Sequence, residues 1–105
     1  MGKNNTKAEG VLPISDLMEV IAQLLKKYKA ERALLFGSYA RGEATPESDI
    51  DLLVYGGEHF YPTDIFALAE ELFEITGKKV DVYEICEINK GDFYDEIMKD
   101  GVLVA

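Results

Sequence analysis

Two aspartates two residues apart, Asp49 and Asp51, stand at the head of an apolar stretch that runs to Tyr55 and stops at Gly56-Gly57. In an extended chain residues i and i+2 leave the same face, so both carboxylates project together while Ile50, Leu52 and Val54 point the opposite way, toward a core. Aspartate suits a strand poorly, and like charges on one face of a sheet repel. A bound divalent cation is the usual compensation. Hard carboxylate oxygens suit Mg²⁺ or Mn²⁺, which keep several waters and take further oxygens from a triphosphate.

The rest of the chain supplies a sheet for that strand to join. Leu17, Ile21, Leu24, Leu25 and Tyr28 recur at helical spacing, which predicts a helix from Ser15, as N-cap, to about Lys29. Ala33-Leu34-Leu35-Phe36 is a short buried strand ending at Gly37, and Ser38 to Arg41 opens a short helix. A second long helix, from Thr63 or Asp64 to Thr76, has Ile65, Leu68, Ala69, Leu72 and Phe73 as its apolar stripe and Gly77 as its stop. Lys79 to Glu84 alternates as a third strand. A last helix over Lys90–Lys99 carries Phe93, Ile97 and Met98, and Val102-Leu103-Val104 is a short edge strand. The order is αβ(α)βαβα, an α/β (α+β) arrangement in which a small sheet is flanked by helices. Residues 1–12 read as a flexible tail and 13–105 as the single domain that 105 residues allow.

Four features converge on the two aspartates. Phe36-Gly37-Ser38 is a strand running into a glycine turn and a helix start, where backbone approaches a ligand closely and free N–H groups favour an anion. Arg41, one turn on, offers a bidentate phosphate contact. Ser48, just before Asp49, either holds the loop or touches a phosphate. Asp81 is a third acid on a third strand, with Val80 and Val82 facing the other way. If that strand lies beside the second, three carboxylates meet on one patch, which would suit two cations in an in-line displacement. Each piece has a plain structural explanation; the ordered combination is much harder to obtain by accident.

The stretch Leu35-Phe36-Gly37-Ser38-Tyr39-Ala40-Arg41-Gly42, followed by Ser48-Asp49-Ile50-Asp51-Leu52-Leu53-Val54, resembles the minimal nucleotidyltransferase family of the DNA polymerase beta-like superfamily. The pattern is Gly-Ser, ten residues, Asp-x-Asp, with the spacing intact, and the resemblance runs from the first helix to the C-terminus. It implies a small mixed sheet of the nucleotidyltransferase fold. It also implies that Asp49, Asp51 and Asp81 hold two Mg²⁺ ions (or Mn²⁺), that Asp81 assists the acceptor hydroxyl, and that Gly37 and Ser38 hold the phosphates of ATP or another NTP. Members of the family encoded beside HEPN-type ribonuclease toxins act as antitoxins by adenylylating a toxin tyrosine, so a HEPN-type toxin is the implied partner. Two other functions stay open: a non-catalytic antitoxin that occludes its toxin, and transfer to a small molecule or RNA end with a partner subunit.

Charge narrows the partners. Eleven Lys and Arg against twenty Asp and Glu give a net charge of -9, which opposes the counterion-releasing encounter that nucleic acid requires and favours a basic protein. No apolar run approaches the ~20 residues of a membrane span, and the lone Cys86 forms no intrachain disulfide; both point to a cytoplasmic protein. Cys86 reads as a small core residue, His59 as a surface residue, and Tyr39 as packed within the motif loop. So small a domain with an exposed site also suits closure by a partner or a homodimer.

Overall fold

The structure, a computed structural model, describes residues 10–104, so the first nine residues of the expected tail lie outside it. The chain forms α1 (Ile14–Tyr28), β1 (Arg32–Phe36), α2 (Ser38–Arg41), β2 (Ile50–Tyr55), α3 (Asp64–Thr76), β3 (Val80–Glu84), α4 (Asp92–Asp100) and β4 (Val102–Leu103), with a 3-10 turn at Ile85–Glu87. The sheet order is β3-β2-β1-β4. β1 runs antiparallel to both β2 and β4, and β2 runs parallel to β3 because α3 carries the chain back between them. The sheet is therefore mixed, as the α+β reading expects.

The sheet separates two apolar clusters. On one face Ala33, Leu35, Ile50, Leu52 and Val54 are fully buried and join Leu17, Ile21, Leu68 and Leu72 from α1 and α3. On the other face Leu53 and Phe36 meet Ile97 of α4, with Tyr55 and Tyr83 packed against them. The expected alternation of β2 holds along its length: Ile50, Leu52 and Val54 turn to the larger cluster, while Asp51 is only half-buried on the α4 side. Leu12 is buried as well, and its amide donates to Tyr39 Oη at 3.4 Å. Tyr39 thus packs, as expected.

Four local expectations need correction. Ser15 is not the N-cap of α1: Pro13 holds that position with no side-chain cap, and its carbonyl accepts from Leu17 N. A proline with φ near -61° and ψ 135° is already set to start a helix, so the serine hydroxyl is not needed. Phe73 does not belong to the buried stripe of α3; it is 48% exposed. Thr76 is buried in that stripe instead, its hydroxyl donating to Leu72 O at 2.7 Å and accepting from Lys78 N at 3.1 Å. In α4 only Ile97 is buried, and Phe93 and Met98 are exposed. Cys86 is exposed too, because Glu84 and Glu87 form a capping box that starts the 3-10 turn there and takes the chain off the sheet.

Candidate functional site

The candidate residues collect where β1 ends and β2 and β3 begin. Phe36 is paired with Asp51 across β1 and β2, and Asp51 is paired with Asp81 across β2 and β3. Parallel neighbours in direct register lie about 4.8 Å apart and send their side chains the same way, so the third strand does lie beside the second. Asp49 falls one residue before β2 rather than within it. It remains near enough for its charge to act on Asp51.

Gly37 makes this arrangement possible. Its φ of 77° and ψ of -155° lie in a region that essentially only glycine occupies. A Cβ built there would overlap Asp51 Oδ2. The turn that ends β1 is therefore shaped around the carboxylate of β2. Glycine is thus required at position 37 by the protein's own packing, since Asp51 stands where a Cβ would be. Ser38 opens α2 directly behind, where first-turn amides have no intrahelical acceptor.

The electrostatics are one-sided. The Asp51 carboxyl is pushed up to about 6 by its burial first, then by the charges of Asp81 and Asp49, with only Arg41 acting in the other direction. Tyr83, next along the same face, is raised by burial and by Asp81 and Asp51. Arg41 is held away by two acids, its Nε donating to Glu43 Oε1 at 2.9 Å and its Nη1 lying 3.8 Å from Asp100 Oδ2. Ser48 uses its hydroxyl within the loop, accepting from Thr45 N at 2.8 Å.

Among the described residues no three Asp, Glu, His or Cys side chains are grouped so that they could hold a metal ion together, so the expected meeting of Asp49, Asp51 and Asp81 as three ligands is not seen. The donor set fits a different kind of ion site. Asp51 and Asp81 are adjacent hard carboxylates, and the Arg41 charge offsets only part of what Asp81 and Asp49 impose on Asp51. Mg²⁺ is held by one or two carboxylates while waters and substrate phosphates complete its octahedron. An open acidic face suits that requirement better than a closed cage would.

One feature of the site escaped the sequence reading. Phe36, Tyr83 and Phe93 form a triangle of rings on the acid-bearing face, with centroids 6.1, 5.9 and 5.4 Å apart. Phe93 was expected to face the core as one of three apolar positions on its helix. Its spacing of four from Ile97 puts both on the sheet side of α4, and Ile97 alone fills the space there.

Comparison with known proteins adds to this geometry. The family model described as polymerase beta, nucleotidyltransferase, matches residues 19–105. Two proteins of Methanocaldococcus jannaschii, each with a name that proposes a protein adenylyltransferase, are 44% and 39% identical to this chain. The first match covers 66% of this chain and 75% of the relative; the second covers 86% and 90%. A solved structure whose name proposes a minimal nucleotidyltransferase superposes with a TM-score of 0.72 at 28% identity, covering 85% of this chain and 90% of that one. A toxin–antitoxin crystal structure with AMP-PNP shares the fold, with a TM-score of 0.71 at 23% identity over 84% of this chain and 72% of that one. So does a complex of a tri-AMPylated Shewanella oneidensis HEPN toxin with its MNT antitoxin, at 0.65 and 20% over 87% and 71%. The chain belongs to the polymerase beta nucleotidyltransferase family and is an enzyme of that family.

Proposed function

We propose that the chain transfers AMP from ATP to a protein hydroxyl, with a tyrosine of a HEPN-type toxin as acceptor, and so serves as the antitoxin of its pair. The observation that carries this reading is the direct Asp51–Asp81 register beside the Gly37 turn, which sets two carboxylates on one face next to the start of α2. The names of the Methanocaldococcus relatives and the fold shared with toxin–antitoxin complexes support the acceptor class. So does the net charge of -9, which suits a basic partner protein.

In this reading Gly37 and Ser38 cradle the triphosphate, and Arg41 leaves Glu43 and Asp100 to take a phosphate oxygen. The acceptor oxygen forms a bond to the α-phosphorus as the bond to pyrophosphate breaks, and Asp81 assists removal of the hydroxyl proton. Asp49, Asp51 and Asp81 would hold Mg²⁺ ions, which supply charge neutralisation at the reacting phosphates. Catalysis is then chiefly positioning and charge stabilisation, with no covalent work for the protein.

The test incubates the protein with labelled ATP, Mg²⁺ and a HEPN-type toxin, comparing wild type with Asp49→Ala/Asp51→Ala. Label on a toxin tyrosine from wild type alone is the expected result. Equal labelling by both proteins would sink the mechanism. Full toxin neutralisation by the double variant in cells would replace transfer with occlusion.

A further inference from the structure

β3 is an outer strand, and among the described residues nothing pairs with its free side. The Ile50 amide donates to the Lys79 carbonyl, which with the Asp51–Asp81 register turns the backbone groups of Lys79, Asp81 and Tyr83 toward β2. Val80 and Val82, the alternate residues, therefore present N–H and C=O outward. The next group in that series is already used, since Glu84 N donates to Glu87 Oε1 at 3.3 Å. Along this edge runs a groove of about 260 Å³ whose walls include Phe66, Ala69, Val80, Asp81 and Val82. Phe66 stands beside it 72% exposed. Folded proteins blunt an open edge with charge, proline or a covering segment; β3 has charge at Asp81 and Glu84 and Lys79 before it, but the two residues whose backbone faces outward, Val80 and Val82, are apolar.

We infer that this edge docks the acceptor polypeptide, as an extended segment that adds antiparallel to β3 and sets its hydroxyl residue opposite Asp81. The inference rests on the transferase reading and adds to it where the acceptor lies and what sequence it has. In an antiparallel pair, residues opposite Val80 and Val82 exchange both backbone hydrogen bonds, which leaves the position opposite Asp81 as a non-hydrogen-bonded pair. Cα atoms at such a pair approach to about 4.5 Å, and the two side chains leave the same face. A tyrosine, serine or threonine there is presented on the acid-bearing face beside Asp81 and Asp51. Its two neighbours point to the other face, against Phe66 and Ala69, so the acceptor reads apolar–hydroxyl–apolar. Asp49, Asp51 and Asp81, with Glu70 exposed one turn after Phe66, favour Lys or Arg in the flanks. The same charges disfavour a second copy of this chain, whose own β3 would bring Asp81 and its acidic surroundings against the same set.

The probe is a synthetic peptide, Lys-Thr-Val-Tyr-Val-Thr-Lys with blocked ends, titrated into ¹⁵N-labelled protein without nucleotide. Saturable shifts and slowed exchange at the Val80 and Val82 amides are expected. Binding should weaken at least tenfold when both valine nitrogens of the peptide are methylated, and also in Phe66→Ser. Shifts confined to another surface, no saturable shift at all, or equal binding of the methylated peptide would overturn the docking. So would protection of both valine amides in the free protein at the mass of a dimer, which assigns the edge to a second copy. Labelled ATP and Mg²⁺ then separate the two readings. Equal transfer to both peptides overturns the edge and keeps transfer to a protein hydroxyl; docking at Val80 and Val82 without transfer keeps the edge and sinks transfer to a protein hydroxyl.

Discussion

Gly37→Ala should damage stability and activity through one contact, and the size of the effect follows from two separable terms. The alanine must either occupy φ 77°, ψ -155° or distort the turn, which costs about 1–3 kcal/mol for a residue with a Cβ. Its Cβ also overlaps Asp51 Oδ2, and forcing an added methyl into filled space costs about another 1–3 kcal/mol. The sum, about 4 kcal/mol at the centre of those ranges, is a large share of the roughly 5–15 kcal/mol that holds a domain together. In an Asp51→Ala background the overlap disappears and the backbone term alone remains, so the cycle should show the overlap term, about 1–3 kcal/mol, as coupling. Urea midpoints of the four proteins in EDTA measure it, provided the slopes agree. Transfer by Gly37→Ala should fall by about a hundredfold, the scale of an ångström-sized misplacement of a reacting group. Equal destabilisation in both backgrounds would show that the turn is not shaped around Asp51, and the account of Gly37 would fail.

Asp51→Asn should stabilise the metal-free protein at neutral pH. The folded carboxyl titrates at about 6 against an ordinary 3.8, so wild type loses stability as pH rises through that window and keeps the deficit above it. At 1.36 kcal/mol per unit the ceiling is about 3 kcal/mol, and solvent screening of this half-exposed site brings it to about 1–2; melting curves in EDTA should show that gain at pH 8 and none at pH 3. Chelation should abolish transfer, with Mn²⁺ restoring part of what Mg²⁺ restores, as phosphate-transfer assays across a metal series will report. Leu68→Ala, at a fully buried position of α3, should cost about 2–5 kcal/mol in urea unfolding without changing the metal dependence of the reaction.

The parts of the fold that follow from short-range pattern were legible. Ile50, Leu52 and Val54 alternate against Asp51, and Leu17, Ile21, Leu24 and Leu25 mark one side of a helix; those patterns are local, and the packing obeys them. What depends on neighbours distant in sequence was not. Phe73 and Thr76 both lie within reach of the stripe of α3, and which of them is buried depends on Lys78, whose amide needs the threonine hydroxyl. Cys86 sits among isoleucines, yet the reach of Glu84 and Glu87 around it, not its own polarity, sets its exposure. In the site, Gly37-Ser38, Asp49, Asp51 and Asp81 were all named from residue order. That Asp51 packs against Gly37 needed the β1–β2 register, which no single segment encodes.

The same residues that place the acids also protect them from misregistration. A one-residue slip of β2 against its neighbours would turn Asp49 and Asp51 into the cluster of Leu17, Ile21 and Leu68 and bring Ile50, Leu52 and Val54 out toward α4. Burying a carboxylate without a partner costs several kcal/mol, and exposing three fully buried aliphatic side chains costs about 1.5–3 kcal/mol each. The repulsion between Asp51 and Asp81 is smaller than either penalty, which is why the correctly registered strand tolerates it. The acidic face is thus sustained by the apolar face behind it. A variant that weakens the core at Leu52 should loosen the Asp51–Asp81 register before it unfolds the domain, and transfer should fail at a lower urea concentration than the loss of helix.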